Sequence, residues 1–414
     1  MTLLLANIEC AANLDAAAKG ELEALLDIHR SVDARNRLLR EHYEGDARPA
    51  PLGICALPDT VRPEARNTWA RKAVTSVSER CVLEGFAFEG DYRDEGLAET
   101  VRRNRTVQAF NRATPGMLTD GCMFATVGKS GGLPIVRFHT AQTAAGDWDD
   151  AGQCLRGGYV IARTERTSWS PRTPVPTLVN LHLPDRTVAV FRRGPSEWAA
   201  ESMPHKMGRP MMEAFAYRPT GAKPLGETRI SGEVRWLADE ANRIMEDMAV
   251  AAELFAAPQK FLLGLSEKQF KKMSKNKMPA YMGLMLLATE SENGGTPTYG
   301  QLPATQPTAY VEILALLAKM YSASTGVPLS SLGIVTDNPA SAEAIAAAVM
   351  MSSRAAEDLR ESCECSLREV AIMAMAVGGS VRPDELSAEQ LTVCLLYTSP
   401  SPRDRTRSRM PSSA

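Results

Sequence analysis

Two overlapping motifs in the first half of the chain could carry nucleotide or ester chemistry. Gly128-Lys129-Ser130 resembles the end of a phosphate-binding loop, but that loop needs a glycine where this chain has Met123. Residues 128–132 also fit the G-x-S-x-G pattern of a serine nucleophile, which requires a helix directly after the serine. Leu133-Pro134 and a strand-like run, Ile135–Phe138, follow instead. We therefore predict a hairpin turn here rather than a nucleotide site or a nucleophile.

An acidic cluster is the candidate for a metal site. Asp147-Trp148-Asp149-Asp150 could ligate a cation, but it lies in a Gly-containing stretch that reads as a loop, where Asp favours turns. Cys363 and Cys365 would point about 200° apart on a helix, which does not suit one metal. The histidines show no paired spacing, and we interpret each as structural or surface: His29, His42, His139, His182 and His205. The sequence thus predicts no catalytic residue, no metal and no cofactor.

Composition and charge place the chain among globular proteins. Of 414 residues, 44% are hydrophobic, and 47 basic against 49 acidic side chains give a formal charge of −2. These values exclude wholesale disorder and a generally basic protein that coats nucleic acid. The longest apolar runs are too short for a membrane-spanning helix. The N-terminus argues against a secretory signal, and the scattered cysteines indicate a reducing, cytosolic environment.

The last residues differ in character from the rest of the chain. The segment from Cys394 onward contains four Arg, one Asp, three Pro and five Ser without periodicity. Cys394–Asp404 resembles the translation of a sequencing-library transposon end. We expect residues 394–414 to be an artefactual tail, which would leave a net charge of −5 on the first 393 residues and the natural C-terminus missing.

The elements that would position these residues begin with helices and change to strands. Apolar spacing predicts a helix over residues 14–44 and a second helix that runs from Ala70 through Cys81 and closes at Gly85. From Leu118 to Phe215, short apolar runs between Gly, Pro and Asp clusters are typical of antiparallel strands. These runs are Met123–Val127, Ile135–Phe138, Tyr159–Ile161, Leu178–Leu183 and Val188–Phe191.

Three further helices are predicted in the second half. Val234 to Phe255 carry apolar residues at unbroken three- and four-residue steps, and Pro258 ends the run. Pro307–Gly326 reads as another helix. A helix of about 37 residues is expected to start at an N-cap, Ser341 or Asn338, and to end at Gly378-Gly379. Together the patterns predict an α+β protein.

The order of these elements, with several local motifs, resembles the portal proteins of siphovirus-like tailed bacteriophages. The resemblance runs from about Tyr43 to Ser380. Its weaker parts are Trp69 with Val74–Arg80 and Gly85-Phe86, Arg218-Pro219 with Pro224–Ile230, and Asp239–Arg243 with Ala252–Gln259. The most specific block is Thr325–Pro328 with Leu332-Gly333 and Asn338–Ile345.

The resemblance implies a portal fold with a mixed α/β wing, a helical stem, a small clip and a long wing helix. The crown that follows this helix in the family would be missing. The implied parts are the wing (1–232), first stem helix (233–257), clip (258–306), second stem helix (307–327), tunnel loop (328–339), long wing helix (340–380), start of the missing region (381–393) and tail (394–414).

The resemblance also implies a function. The subunit would form a homo-oligomeric ring, typically of twelve copies, at one capsid vertex, through which double-stranded DNA passes during packaging and ejection. Implied partners are the terminase large subunit, a head-completion or adaptor protein, and the major capsid and scaffolding proteins. The protein would be found in the virion, and in the host cytoplasm during assembly, with no membrane and no enzymatic activity.

Two groups of residues are expected to serve this function. The implied tunnel loop contains no basic residue, as suits a weakly interacting collar around DNA: Ile334, Val335, Thr336, Asp337 and Asn338. The implied clip is rich in lysines that would dock the motor and the adaptor: Lys260, Lys268, Lys271, Lys272, Lys275 and Lys277. From composition alone, these lysines could equally be a solvated loop face.

Two alternatives remain at this point. A minor head or adaptor protein of the phage should lack this order of helix, clip, helix, loop and long helix. A soluble α+β enzyme that uses Asp147 and Asp149 on a metal is the alternative from another class.

Overall fold

The computed structural model describes most of the chain in two compact units. The described residues are 5, 7–49, 64–88, 95–168, 170–256, 260–265, 268, 286–289, 298–301, 308–334, 342–379 and 391–397. Unit 1 comprises residues 1–47, 68–235 and 322–414, and unit 2 comprises residues 48–67 and 236–321. The chain is mixed α+β, as the sequence predicts. None of the described helices is long and apolar enough to cross a membrane.

Helix α1, Ala16–Glu44, is confirmed where the apolar spacing predicts it. Its N-cap is Asp15, whose side chain accepts a hydrogen bond from the Ala18 backbone N–H at 2.9 Å. It ends at Gly45, whose φ of 80° lies in the left-handed region that favours glycine. Leu22, Leu25 and Leu26 on its inner face are buried.

The second predicted helix is shorter than expected. Helix α2 covers Trp69–Ser78, and the chain then enters strand β1, Cys81–Phe88. The prediction was therefore wrong for Cys81–Gly85. Burial alternates along that segment as in a strand, with Cys81 and Leu83 buried. Its partner is a segment more than 300 positions away, β13 (Leu391–Tyr397), which pairs with β1 in antiparallel fashion. A pairing with such a distant segment cannot be predicted from the residues next to β1.

Two adjoining helices that the sequence reading missed follow β1. Helix α3 covers Glu95–Asn104 and helix α4 covers Thr106–Asp120. Arg105 between them has a φ of 51°, which breaks the helical path. Helix α4 contains Pro115, a residue that normally argues against a helix interior.

The antiparallel region predicted for residues 118–215 is confirmed, and it forms two sheets. The small sheet has the strand order β3-β2-β9, and the large sheet has the order β4-β5-β6-β7-β8. The strands are β2 (Cys122–Ser130), β3 (Leu133–Thr140), β4 (Ala144–Asp149), β5 (Cys154–Thr167), β6 (Ser170–His182), β7 (Arg186–Arg192), β8 (Trp198–Pro204) and β9 (Met212–Ala216).

The predicted hairpin at the glycine motif is also confirmed. Ser130 pairs with Leu133, so Gly131 and Gly132 form a two-residue turn between β2 and β3. Their φ values of 59° and 85° match the turn type that suits the twist of adjacent strands. The Ser130 side chain thus precedes a turn and a strand, which does not fit a nucleophile elbow.

The core of unit 1 lies between helix α1 and the large sheet. Leu22, Leu25 and Leu26 of the helix belong to one buried cluster with Tyr159 and Val179 of the sheet. Burial of each such side chain stabilises the fold by about 1.5–3 kcal/mol. This cluster packs helix α1 against the large sheet.

The remaining elements include the three helices predicted in the second half. These are α5 (Gly232–Ala256), α6 (Thr308–Thr325) and α7 (Ala342–Gly378). A short 3-10 helix, Leu329–Leu332, lies between α6 and α7. In unit 2, β10 (Lys260–Leu265) pairs in parallel with β11 (Leu286–Thr289) and antiparallel with β12 (Thr298–Gln301), strands that the sequence reading did not predict.

Strand β13 includes the first residues of the segment that the sequence predicts to be an artefactual tail. Leu391–Tyr397 crosses Cys394, where the artefactual tail is expected to begin. Its residues Val393 and Leu395 are buried against β1. The tail interpretation of residues 394–414 stays a prediction.

Candidate functional sites

The first half of the predicted tunnel loop, 328–339, contains a well-defined turn. After the 3-10 helix, Gly333 has a φ of 85°, and the Ile334 backbone N–H donates to the Leu329 carbonyl at 3.2 Å. Ile334, the first of the five loop residues expected to surround DNA, is half-buried. Val335, Thr336, Asp337 and Asn338 lie outside the described residues, as do the two candidate N-caps of α7, Asn338 and Ser341.

The end of helix α6 is held tightly against helix α7. Gly326, just after α6, has a φ of 71°, and its carbonyl accepts a hydrogen bond from Ser352 Oγ at 2.7 Å. A Cβ added at Gly326 would lie 2.7 Å from the Cβ of Met351. Only glycine therefore allows this approach, which fixes where the predicted loop begins.

Arg229 connects three segments around the same point. Its Nε donates to the Ala73 carbonyl at 2.7 Å in α2, and its guanidinium also donates to Tyr217 Oη at 3.0 Å. A third bond goes to the Thr325 carbonyl at 2.5 Å, at the C-terminal end of α6. Thr325 is the last residue of α6, so the arginine provides a charged C-cap there. Arg229 lies in the block Pro224–Ile230 that carries part of the resemblance.

Helix α7 covers the free edge of the small sheet. Strand β9 is an edge strand, bonded on one side to β2. On its other side, the carbonyls of Ala214 and Ala216 accept hydrogen bonds from Ser366 Oγ and Ser362 Oγ, each at 2.7 Å. The two serines are four residues apart and therefore share one face of the helix. These bonds satisfy an edge that would otherwise need water or another strand.

An ion cluster lies beside this contact. Arg209 contacts both Glu213 of β9 and Glu369 of α7, the latter at 2.5 Å. Burial raises the pKa of Glu213 to about 7, the Arg209 charge opposes this shift, and the Glu369 charge adds to it. Glu213 therefore gains or loses a proton near neutral pH, which changes the charge beside Arg209 and Glu369.

The predicted docking lysines are only partly within the described residues. Lys260 is the first residue of β10, and Lys268 is exposed. Lys271, Lys272, Lys275 and Lys277 lie outside the described residues. Their role stays a prediction.

The acidic candidate for a metal site is placed differently from the expectation. Asp147 and Asp149 belong to strand β4 rather than to a loop, because Ala144–Asp149 pairs with β5. Arg156 lies 3.5 Å from Asp147 and 3.6 Å from Asp149. The Asp149 carboxylate also accepts backbone bonds from Ala151 and Gly152. Within the described ranges, no three metal-ligating side chains are grouped to hold an ion.

The histidines divide into two groups. His29 bonds to Tyr159 Oη in the core, and His42 bonds to the Leu38 carbonyl at 2.9 Å, which fits structural roles. The other three, His139, His182 and His205, lie around one cavity in unit 1. The sequence reading missed this cavity, since its histidines come from β3, from β6 and from the residue after β8.

Comparison with known proteins identifies the family. Residues 187–407, just over half of the chain, match the family described as phage portal protein, SPP1 Gp6-like. The portal protein of Mycobacterium phage L5 is 25% identical over 364 residues, which cover 84% of this chain and 73% of that protein. The portal protein of Mycobacterium phage D29 is 25% identical over 378 residues, which cover 87% and 76% of the two chains.

A solved structure described as "Virion of native gene transfer agent (GTA) particle" is also similar. It has 13% identity and a TM-score of 0.44, with 90% of this chain and 88% of that chain covered. The matched range 187–407 contains β9, α5, α6 and α7 with the turn that Gly326 and Arg229 fix. By this match over more than half of its length, the chain belongs to the phage portal protein family, SPP1 Gp6-like.

Proposed function

We propose that the protein is a portal subunit that forms a ring-shaped channel at one capsid vertex. Double-stranded DNA would pass through this channel during packaging and ejection, while a separate terminase hydrolyses ATP. The observation that carries the proposal is the family match over residues 187–407. In chain order, that range contains α5, the strands β10, β11 and β12, α6, the turn at Gly326 and a helix of 37 residues. This is the order of parts that the resemblance implies.

The charges of the predicted loop support a channel role. A channel must let DNA slide, and each phosphate that a fixed Lys or Arg neutralises adds affinity. Ile334 and the four residues that follow it contain no Lys or Arg. The loop would therefore surround DNA without gripping it, and the slight acidic excess of the chain would act in the same sense.

Exposed apolar residues on helix α6 support self-association. Val311 and Leu316 are 56% and 57% exposed, and Ile313 and Met320 are also exposed. Several exposed apolar side chains on one helix mark an interaction surface. We propose that neighbouring copies cover them in a ring, whose expected number of subunits is twelve.

The lysines between α5 and α6 would face the partners of the ring. Six lysines over residues 260–277 give this segment a strong positive charge. We propose that it docks the terminase large subunit during packaging and a head-completion protein afterwards. Such contacts would depend on charge and would weaken with salt.

The oligomeric state tests the proposal. Purified full-length protein should form rings with a central hole in negative-stain images and show the mass of a multimer by light scattering. Val311→Glu with Leu316→Glu should shift the population to monomers, since charges would be buried in the contact. Leu38→Glu, at an exposed apolar position on α1, is the matched control and should leave the rings intact. Monomers of the wild-type protein at all concentrations would refute the ring.

A further inference from the structure

His139, His182 and His205 line a cavity in unit 1 that the proposed function does not use. Its volume is about 1150 Å³. Strands of both sheets line it, and the C-terminal end of α7 contributes Val377 and Gly379. This volume is slightly above the usual range of small-molecule sites, about 300–1,000 Å³, and exceeds what one small ion needs.

The charged residues that line this cavity are all basic. They are Lys129, Arg137, Arg163 and Lys206, and no Asp or Glu is among the lining residues. Arg137 donates to two neutral oxygens, the Val136 carbonyl at 3.1 Å and Asn104 Oδ1 at 3.4 Å. Arg163 lies 3.7 Å from an exposed carboxylate, Glu165. Among described residues, Lys129, Arg137 and Lys206 have no carboxylate partner within salt-bridge distance.

The inner wall is apolar and contains an unsatisfied buried group. Val127, Val160 and Met211 are buried wall residues. His182 is 3% exposed, its Nδ1 lies 3.4 Å from Thr187 Oγ1, and its Nε2 has no hydrogen-bond partner in the described part of the chain. A buried imidazole nitrogen without a partner costs free energy, which a bound ligand could recover.

The histidines add hydrogen-bonding capacity rather than charge. Burial lowers the pKa of His182 to about 3, with His139 and His205 adding to the shift. Burial also lowers the pKa of His139 to about 4, with Arg137 adding to the shift. At neutral pH, these imidazoles are therefore neutral, and the positive charge of the cavity comes from the four Lys and Arg side chains.

We propose that this cavity binds an acidic peptide segment of a partner protein that also carries apolar side chains. Its carboxylates would contact Lys129, Arg137 and Lys206, and its apolar side chains would pack on the inner wall. Nucleic acid fits less well, because phosphates gain nothing from apolar walls and lose hydration there. The proposal does not depend on ring formation.

A fluorescein-labelled hexapeptide of alternating Glu and Leu is the probe. We expect saturable binding to the full-length protein by fluorescence anisotropy, weaker at high salt because the charges are screened. Replacement of its Glu residues by Gln, or of its Leu residues by Ser, should each weaken binding at least about tenfold, a loss of about 1.4 kcal/mol. Tripolyphosphate and a single-stranded oligonucleotide of equal charge should displace it poorly.

Two variants test the location of the site. Gly128 lines the cavity, and a Cβ added there would meet no heavy atom within 4 Å, so Gly128→Phe should obstruct part of the cavity and weaken binding at least about tenfold. Gly20→Phe is the matched control, since Gly20 is equally open and lies on α1 away from the cavity. Lys129→Gln with Lys206→Gln should weaken binding about tenfold, whereas Lys19→Gln with Lys72→Gln should not change it.

Each remaining outcome would overturn the proposal. One is that the Gln peptide binds as tightly as the Glu peptide, and another is that the oligonucleotide displaces the probe as well as unlabelled Glu peptide does. The others are that the control variants lose as much affinity as the cavity variants, and that no saturable binding is seen up to about 1 mM peptide. Circular dichroism and thermal denaturation establish that Gly128→Phe is folded. If Gly128→Phe is unfolded, the comparison of the two lysine double variants tests the location of the site by itself.

Discussion

At the residue scale, a few side chains and one glycine fix the geometry where helix α6 ends and the predicted loop begins. Arg229 binds carbonyls or hydroxyls of three segments that are distant in sequence. Gly326 allows the backbone after α6 to contact α7. Both lie within the range that matches the portal family, 187–407.

Gly326→Ala should lower the free energy of unfolding by more than Gly333→Ala. Both glycines have φ values in the left-handed region, 71° and 85°, so both substitutions introduce backbone strain of about 1 kcal/mol. At Gly326, the new methyl group would also collide with Met351, whereas at Gly333 it meets no atom within 4 Å. We expect a further loss of about 1–3 kcal/mol at Gly326, measured by urea denaturation. Equal losses would show that the contact is not as tight as described.

Glu213 should make stability depend on pH. Its pKa is raised from the ordinary 4.5 to about 7, so the folded state holds a proton that the unfolded state has released between these values. The free energy of unfolding should therefore fall as the pH rises from about 4.5 to about 7, by up to about 3 kcal/mol. Denaturation midpoints of wild type and Glu213→Gln at pH 5 and pH 8 check this.

Glu213→Gln should remove that part of the pH dependence, because the amide does not titrate. Glu361→Gln, on an exposed part of α7, is the control and should keep the wild-type dependence. An unchanged pH dependence in Glu213→Gln would contradict the assignment of the proton to this carboxyl.

At the element scale, the docking of α7 on the small sheet is the main feature. The helix is 37 residues long, about three times the usual length, and it supplies the hydroxyls that satisfy the edge of β9. Leu359, Cys363 and Leu367 are buried on the same helix. Buried apolar residues and two side-chain hydrogen bonds thus both hold the helix on the sheet.

Ser362→Ala with Ser366→Ala should loosen this contact. Two partly buried carbonyls of β9 would lose their partners, which costs about 1–3 kcal/mol each. Hydrogen–deuterium exchange of β9 and of α7 around residues 362–366 should become faster. Ser31→Ala is the control, because the Ser31 hydroxyl donates only to the nearby Ile28 carbonyl on an exposed helix face. Equal protection in the double variant would show that packing alone holds the helix.

At the scale of the whole molecule, the predicted loop and the lysine-rich segment differ in charge. The loop residues 334–338 carry no positive charge, whereas six lysines lie between residues 260 and 277. In a ring, both features would be repeated in every copy. The loops, which lack positive charge, would bind DNA only weakly, so that it can slide. The lysine-rich segments would form a basic surface for partner proteins.

Reversal of three of these charges tests the docking role. Lys268→Glu with Lys271→Glu and Lys272→Glu should weaken binding of the purified terminase large subunit by at least about tenfold, because attraction becomes repulsion. Ring formation in negative-stain images should be unchanged. Lys19→Glu with Lys72→Glu and Lys223→Glu reverses the same number of charges in unit 1, away from the cavity, and should have little effect on terminase binding. Unchanged binding in the first variant would refute the docking role.

The sequence by itself determined the long helices, the β2–β3 turn and the family. Helix spacing and a two-glycine turn are local patterns, which is why α1, α5, α6 and α7 were predicted close to their ends. The tertiary structure alone decided that Cys81–Phe88 is a strand, that Asp147 and Asp149 are bound by Arg156, and that three histidines surround one cavity. Strand pairing and side-chain clusters join residues far apart in the chain, and no local spacing records which segments meet.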